Sequence, residues 1–340
     1  MNESRESTMK CGLVLSATRI SDQVTAAKKA EAAGFHSVWT TEFFHQHGLV
    51  RMAAVAGATE SVQVGSAIAY AFMRSPMLAA SGAMDIDEIS NGRCILGLGS
   101  GTKTMNEKWY SVPFESPPVP RMREAIELIN AYFQACKGGG LRYEGEHYQI
   151  DIPQFARARP ARERVPIYLA GVNKKMVACA ARHADGLIGH PVYTRKYIEE
   201  VVMPILDGSN CELAPYVLCS IADDREQARN EVRAQIAFYY TTSLYHSILD
   251  VSGWREIGET ISAAFKRGDF KAMVAAVTDE MIDAIAIAGT PDEVRDQIRQ
   301  WDGLAEHILF YSPSIGMKQE RTMENLVAIT ECFAVPGSRT

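Results

Sequence analysis

Short apolar runs alternate along this chain with longer stretches in which apolar residues recur at helical spacing. The first two runs, residues 11–15 and 35–40, flank an Ala- and Lys-rich stretch that starts after Ser21 and ends at Gly34. A serine before such a stretch and a glycine after it are typical of the start and end of a helix. Strand, helix and strand at this spacing indicate one βαβ unit, whose strands pair in parallel.

The same alternation continues to the end of the chain. Further strands are predicted at residues 62–68, 94–98, 165–170, 185–189, 213–221 and 307–311. Runs that are apolar throughout are typical of parallel strands buried on both faces. The eight strand candidates, with helices between them, predict an α/β fold of the (β/α)8 or TIM barrel class. An open doubly wound sheet is the alternative architecture.

The stretches that interrupt this alternation predict the domain organisation. Residues 1–8 are polar and predict a disordered tail, and residues 9–335 predict a single domain. Insertions are predicted at residues 102–120, 138–164 and 246–288. The first is rich in proline and predicts a loop. The second contains a Glu-Gly turn between aromatic-rich runs, which predicts a small hairpin, and the third is mostly helical in pattern.

Composition narrows the class of protein. The chain has 340 residues, 47% of them hydrophobic and 22% charged, which is typical of a soluble globular protein. A net charge of −6 argues against nucleic acids and anionic membranes as partners. The seven cysteines show no CxxC spacing, the polar residues 1–8 predict no signal peptide, and no apolar run is long enough to span a membrane. We therefore expect reduced thiols and a cytoplasmic protein.

The most distinctive stretch is residues 92–101, in which a buried strand ends in Gly99-Ser100-Gly101. Ligands of α/β enzymes bind at the carboxyl ends of the strands, and residues without a Cβ let the backbone approach a ligand closely. A tight turn would also need glycine here. Because the longer GxGxxG pattern is missing, the turn alone is a weak indicator of a cofactor site.

A carboxylate and two histidines follow the second predicted strand. Glu42 lies at the carboxyl end of that strand, where a buried carboxyl group would have a raised pKa and act as an acid. An ion pair with a neighbouring Arg or Lys is the alternative. His45 and His47 are candidates for the same proton-transfer role. A metal-hydrolase site is disfavoured, because HxH follows the second strand rather than the first, and we predict no metal.

Aromatic residues are frequent around the same strand ends. They are Phe43, Phe44, Tyr70, Phe72 and Trp109. Such residues suggest an apolar substrate pocket, although aromatic residues at core positions more often serve packing alone.

Several stretches together resemble the bacterial luciferase-like superfamily, and within it the branch that uses the deazaflavin coenzyme F420. The matching stretches are 37–42, 64–68 with 74–76, 92–101, 165–171 with 184–187, and 289–293. Their order and spacing carry the resemblance, which covers roughly residues 9–335. It implies a barrel enzyme that moves a hydride between C5 of F420 and a small organic substrate, and that forms a homodimer. The alternatives are an FMN-dependent monooxygenase and a non-catalytic cofactor-binding barrel.

The resemblance also implies which residues hold the cofactor. The expected contacts are Glu42, Ser66, Ala67, Gly99, Ser100, Gly101, Gly171, Val172, Asn173 and Lys174. By position in the family, a non-prolyl cis peptide is expected at Ser66–Ala67. Gly171, Val172 and Asn173 open a helix whose N–H groups would bind the cofactor phosphate, and Lys174 would add positive charge.

The sequence also departs from the family pattern. In similar sugar-phosphate dehydrogenases a histidine follows the acidic residue after the second strand, whereas here Phe43 does; an acidic residue follows the glycine turn, whereas here Thr102 does. A sugar phosphate is therefore not the expected substrate.

Overall fold

The computed structural model describes residues 9–115, 117–157 and 160–335. The predicted disordered tail, residues 1–8, lies outside the described residues. The chain divides into two compact units. The first unit runs up to His36 and includes Gly189–Asp207 and the chain from Glu212 onward; the second comprises Ser37–Ile188 and Gly208–Cys211. The single domain from 9 to 335 stays a prediction.

The first unit is a parallel sheet with helices. Its strands are Lys10–Leu15, Glu212–Ile221, Ala286–Gly289 and His307–Tyr311. His307–Tyr311 pairs in parallel with both Lys10–Leu15 and Glu212–Ile221. Its helices are Ile20–Ala32, Arg195–Tyr197, Met203–Leu206, Arg225–Tyr240, His246–Leu249, Arg255–Lys266, Phe270–Ala275, Asp279–Ile285, Pro291–Gln297 and Gln319–Cys332. Shorter turns of 3-10 or π helix are Ile198–Val202, Ser243–Tyr245, Asp250–Ser252 and Ile298–Trp301.

One strand of this unit was not predicted. Ala286–Gly289 begins inside the stretch 246–288 that the sequence predicts as a helical insertion. It pairs in parallel with the end of Glu212–Ile221, from Leu218 to Ile221. Four small or apolar residues directly after the helix Asp279–Ile285 carry no strand period of their own, so pairing with a distant strand decides their conformation.

The second unit is also a parallel sheet with helices. Its strands are Ser37–Thr40, Gln63–Ser66, Ala69–Tyr70, Cys94–Gly99, Ile167–Gly171 and, apart from its last residue, Gly186–Gly189, with a hairpin of Leu141–Glu144 and Gln149–Ile152. Its helices are Gly48–Ala56, Pro76–Ile89, Val119–Ala135 and Lys174–His183, with a 3-10 turn Ala71–Met73 and a π turn Met105–Trp109. Within the described residues, no helix combines the length and apolar character that crossing a membrane requires.

The strands of the second unit pair in the order in which they follow one another along the chain. Ser37–Thr40 pairs with Gln63–Ser66, which pairs with Cys94–Gly99, which in turn pairs with Ile167–Gly171. All of these pairs are parallel, so the carboxyl ends of the strands lie along one edge of the sheet. The hairpin predicted in the 138–164 insertion is confirmed, since Leu141–Glu144 and Gln149–Ile152 pair antiparallel.

Arg93 fixes the start of the strand Cys94–Gly99. Its guanidinium donates hydrogen bonds to the carbonyl oxygens of Val62 and Thr59, at 2.5 and 2.7 Å, and to that of Ala56 at 3.1 Å. The backbone N–H of Cys94 donates to the fully buried carboxylate of Asp87 at 3.1 Å. Hydrogen bonds to charged partners are among the stronger ones in proteins, so the strand leaves this turn in a defined direction.

Candidate functional site

All of the predicted site residues belong to the second unit. They are Glu42, His45, His47, Ser66, Ala67, Gly99, Ser100, Gly101, Gly171, Val172, Asn173 and Lys174. They lie at or just beyond the ends of Ser37–Thr40, Gln63–Ser66, Cys94–Gly99 and Ile167–Gly171. Because these neighbouring strands are parallel, their ends place the predicted residues on one edge of the sheet.

Glu42 forms a buried ion pair. One carboxylate oxygen, Oε1, is bonded to the guanidinium of Arg74, and the other, Oε2, accepts the backbone N–H of Tyr70 at 2.8 Å. The side chain of Glu42 is 5% exposed and that of Arg74 is 12% exposed. The structure thus shows the ion pair that the sequence left open as an alternative. Through it, the segment after the second strand is tied to residues 69–74.

The two histidines differ in their contacts. His47 stands at the start of the helix Gly48–Ala56, where its Nδ1 accepts the backbone N–H of Val50 at 3.4 Å. His45 is exposed, and its ring contacts those of Phe43 and Phe44, with centroids 5.6 and 5.0 Å apart. His47 therefore caps a helix, whereas the imidazole of His45 faces solvent beside an aromatic cluster.

Ser66 joins two strands. Its buried hydroxyl donates to the carbonyl of Gly97 at 2.8 Å and accepts the N–H of Gly97 at 3.0 Å. The expected cis peptide at Ser66–Ala67 is wrong by one position, since the cis bond is Ala67–Ile68. Ser66 is still in register with Thr40 of the neighbouring strand, so the chain departs from strand geometry only after it.

The glycines of the fourth predicted strand are explained largely by packing. A Cβ on Gly97 would lie 1.8 Å from the carbonyl oxygen of Ser66, and a Cβ on Gly99 would lie 1.9 Å from Cδ1 of Ile68. Glycine is required at position 97, because the backbone of the preceding strand cannot move away. At position 99 a Cβ would displace the end of the Ile68 side chain. Gly101 is different, because its φ of +64° is left-handed and favours glycine in the turn itself.

The side chain of Asn106 stabilises the turn formed by residues 99–102. The residue is fully buried, and its Nδ2 donates to the carbonyl oxygens of Ser100 and Thr102, both at 2.9 Å. The hydroxyl of Ser100 donates to the carbonyl of Gly101 at 3.0 Å. The loop that was predicted to lie along the cofactor is therefore held by side chains from within the second unit.

The predicted phosphate-binding segment opens the helix Lys174–His183. Asn173 is its N-cap, and the side chain of Asn173 accepts the N–H of Met176 at 3.2 Å. Asn173 and Lys174 are exposed, Val172 is half-buried and Gly171 is buried. Helix N-termini attract anions, and here the positive end of the helix is accessible beside a lysine.

Exposed aromatic rings form a wall near Glu42. Trp109 packs edge-on against Phe43 and Phe44, with centroids 5.1 and 5.6 Å apart. Phe44 is 63% exposed and Trp109 is 45% exposed, which is unusual for rings of this size. We call Phe43, Phe44, His45 and Trp109 the aromatic wall. Phe72, also named from the sequence, is buried instead and stacks with Arg121.

Three residues of the site were missed by the sequence reasoning. Arg74 and Asn106 each carry a buried polar atom, Nη1 and Oδ1, without a hydrogen-bond partner in the described part of the chain. Burial, together with the charge of Glu42, raises the pKa of Tyr110, so its phenol stays protonated at neutral pH. The sequence signal for Arg74 was its place before Ser75 and Pro76, which start a capped helix.

The chemistry of these atoms matches that of a heteroaromatic ring with a polar edge. A buried donor or acceptor without a partner costs about 1–3 kcal/mol, so such atoms are usually satisfied by a ligand or water. Arg74 supplies a donor and Asn106 an acceptor, which complements the carbonyl and N–H groups of a deazaflavin or flavin ring. The residues present therefore fit the cofactor that the resemblance implies.

A separate aromatic group lies in the first unit. His190 follows the strand Gly186–Gly189, and its ring lies 4.1 Å from that of Tyr245 and 5.0 Å from that of Tyr239. Burial lowers the pKa of His190 to about 3, so the imidazole is neutral. A neutral ring between two tyrosines is a packing arrangement that acid would disturb.

Comparison with known proteins identifies the relatives of this chain. It is 34% identical over 301 residues to an uncharacterised protein of Mycobacterium tuberculosis, with 84% of this chain and 88% of that protein covered. It is 31% identical over 288 residues to the 5,10-methylenetetrahydromethanopterin reductase of Archaeoglobus fulgidus, covering 80% and 83%. The structure of the coenzyme F420-dependent tetrahydromethanopterin reductase of Methanopyrus kandleri is similar with a TM-score of 0.77 at 25% identity, covering 94% and 97%.

These comparisons confirm the fold and the enzyme class. The structural similarity shows that the chain has the (β/α)8 barrel fold predicted from its strand pattern. Those of its relatives that have an assigned activity are oxidoreductases, the enzyme class predicted from the sequence. A sequence model of the luciferase-like monooxygenase family matches residues 6–305. The chain therefore belongs to the luciferase-like monooxygenase family.

Proposed function

We propose that this enzyme uses coenzyme F420 to transfer a hydride between C5 of the deazaflavin and a small organic substrate. The observation that carries the proposal is its similarity to F420-dependent relatives over most of both chains. The buried donor of Arg74 and acceptor of Asn106 support it, because they complement the polar edge of the ring. When bound, the deazaflavin supplies the hydride chemistry.

The chain's own residues would position the ring and the substrate. The ion pair of Glu42 with Arg74 fixes the guanidinium, whose Nη1 would donate to a ring carbonyl. The Oδ1 of Asn106 would accept a ring N–H. The aromatic wall, exposed beside Glu42, would cover an apolar part of the substrate.

His45 would donate or accept the proton that accompanies hydride transfer. Glu42 has one carboxylate oxygen on Arg74 and the other on the N–H of Tyr70, and the Nδ1 of His47 caps its own helix. His45 is exposed and belongs to the aromatic wall, so its imidazole is accessible to a substrate there. Imidazole is the side chain most often used for general acid–base catalysis.

The phosphate of the cofactor would bind at the start of the helix Lys174–His183. The N–H groups after Gly171 and Val172 point along the helix axis, and the exposed Asn173 and Lys174 flank them.

Cofactor titration tests the proposal. We expect F420 to bind with strong quenching of its fluorescence, and the 5-deaza chromophore to be reduced or oxidised when a substrate is added. Arg74→Lys, which keeps the charge but loses the planar fork, should weaken binding about tenfold. Tight binding of FMN with none of F420 would overturn the proposal.

An FMN-dependent monooxygenase is the second candidate, favoured by the match to the luciferase-like monooxygenase family. The same polar ring edge occurs in FMN, so Arg74 and Asn106 do not separate the two. Oxygen consumption in the presence of reduced FMN, together with a flavin absorption band in the purified complex, would support this candidate over the first.

We also propose a homodimer. Large apolar side chains are exposed on two helices of the second unit, with Val50 at 57%, Leu78 at 65% and Ile89 at 50%. Such side chains on neighbouring helices are typical of a surface that another chain covers. Leu78→Glu should shift the mass measured by light scattering from dimer to monomer, whereas Leu244→Glu, equally exposed in the first unit, should leave it unchanged.

A further inference from the structure

A cluster of aromatic rings lies in the first unit, near the carboxyl ends of its strands. His190 directly follows the strand Gly186–Gly189, and Tyr311 is the last residue of the strand His307–Tyr311. Active sites of (β/α)8 enzymes lie at this end of the strands. We call the following residues the ring cluster: His190, Tyr216, Tyr239, Tyr245 and Tyr311.

The rings of the cluster contact one another. The ring of His190 lies 5.0 Å from that of Tyr239 and 4.1 Å from that of Tyr245, between centroids. Tyr216 stacks on Tyr311 at 5.5 Å. The hydroxyl groups of Tyr239 and Tyr311 interact, which joins the two groups of rings. All members except the buried Tyr216 are half-buried, so they present ring surface to a ligand instead of only filling the core.

The ring cluster also has hydrogen-bond donors for a ligand. The Nδ1 of His190 accepts the backbone N–H of Val192 at 3.4 Å, so the hydrogen of the neutral imidazole is on Nε2. Of the two hydroxyl hydrogens of Tyr239 and Tyr311, only one can lie between the two oxygens. The other hydroxyl hydrogen and the Nε2–H of His190 can therefore be donated to an oxygen of a ligand.

The surroundings of the ring cluster disfavour charge of either sign. Burial lowers the pKa of His190 to about 3 and raises the pKa of Tyr245 to about 12. Burial, and after it the phenol of Tyr311, raises the pKa of Tyr239 well above its ordinary value. The loss of hydration that disfavours a cation at His190 and an anion at the two tyrosines would also penalise a charged ligand.

We propose that the ring cluster binds the substrate and selects uncharged molecules that combine a flat ring with a carbonyl oxygen. The inference rests on the proposed function, because it names the substrate class of the same enzyme. The flat ring would pack against the accessible tyrosine rings. Its carbonyl oxygen would accept a hydrogen bond from the Nε2–H of His190 or from the hydroxyl pair.

The experiment titrates three probes of similar size into the full chain by calorimetry at neutral pH. They are acetophenone, which is uncharged and has a carbonyl group, benzoate, which is an anion, and benzyltrimethylammonium, which is a cation. We expect acetophenone to bind at least about tenfold more tightly than either charged probe. Tyr311→Phe keeps the ring but removes a hydroxyl, so it should weaken acetophenone binding about 2- to 10-fold, the value of one hydrogen bond.

A matched control is Tyr143→Phe, which removes a hydroxyl that donates to Glu127 at 2.9 Å in the second unit. It should leave the affinity for acetophenone unchanged. Melting temperatures check that both variants fold, and Tyr239→Phe removes the other hydroxyl of the pair if Y311F does not.

Three results would overturn the ring cluster as a substrate site. They are the absence of acetophenone binding, equal or tighter binding of a charged probe, and an unchanged affinity when a hydroxyl of the pair is removed. Titration of the same protein with F420 separates the two proposals. Binding of F420 without binding of acetophenone would overturn the ring cluster alone, whereas absence of F420 binding would overturn the proposed function.

Discussion

The ion pair of Glu42 and Arg74 offers a direct test of how the site is built. Glu42→Gln keeps the size of the side chain and an oxygen that can accept the N–H of Tyr70, but it removes the negative charge. The guanidinium of Arg74 would then lie buried without a counter-ion, with Nη1 already lacking a partner in the described part of the chain.

The expected cost follows from the burial of the pair. Removing one partner of a buried ion pair typically destabilises a protein by about 3–5 kcal/mol, because it leaves an uncompensated charge. Arg74 keeps 12% of its side chain exposed, so some solvation remains. We therefore expect the lower end, about 3 kcal/mol, which is a large share of the 5–15 kcal/mol that usually holds a domain folded.

Equilibrium unfolding in urea measures this loss. The matched control is Arg142→Gln, which breaks the pair with Glu144 at a site where both side chains are 72% exposed. Exposed pairs contribute at most about 1 kcal/mol, so this control should unfold almost as the unmodified protein does. The double variant E42Q/R74M should recover part of the loss, since it leaves no buried charge.

The result that would refute this reasoning is a loss below about 1 kcal/mol in E42Q, no larger than in R142Q. Such a result would mean that water reaches Arg74 and that the pair does not fix it. The assignment of Arg74 to the polar edge of the cofactor would lose its physical basis as well.

Other predictions concern packing, the aromatic wall and acid stability. Gly97→Ala should destabilise the protein by about 1–3 kcal/mol in urea unfolding, because its Cβ would overlap the backbone carbonyl oxygen of Ser66; an unchanged midpoint would contradict the packing explanation. Phe44→Ala should weaken binding of the apolar dye anilinonaphthalene sulfonate about threefold to tenfold without changing the melting temperature, whereas Leu244→Ala should do neither. His190 has a folded pKa near 3, below its unfolded value, so the unfolded state binds the proton first and stability falls as pH drops below about 6.5. Between pH 7 and pH 5, the free energy of unfolding of His190→Asn should therefore fall by up to about 2 kcal/mol less than that of the unmodified protein. Equal decreases in the two proteins would show that His190 takes up its proton in the folded state.

The sequence predicted the positions of the candidate site residues but not the contacts between them. The strand pattern predicted that the site residues lie close together, because parallel strands place their carboxyl ends at one edge of the sheet. It did not predict which side chains pair with one another. Glu42 was recognised as a buried carboxylate, but its pairing with Arg74, thirty-two residues later, depends on the segment after Gln63–Ser66 turning back toward it. Asn106 lies in a stretch without any period, so only the folded turn reveals that it is buried.

The sequence by itself determined the alternation of strands and helices, the barrel class and the family, because these depend on local periodicity and on motifs read in order. It also placed the eight predicted strands to within about two residues, since each is a short apolar run. The helix predicted to start after Ser21 begins earlier, at Ile20. Only the tertiary structure decided that Ala286–Gly289 is a strand and that Gly97 and Gly99 serve packing. Only the tertiary structure places Arg123 of the helix Val119–Ala135 beside Lys175 and Arg182 of the helix Lys174–His183. The physical reason is the same throughout: contacts between residues distant along the chain leave no periodic signal in it.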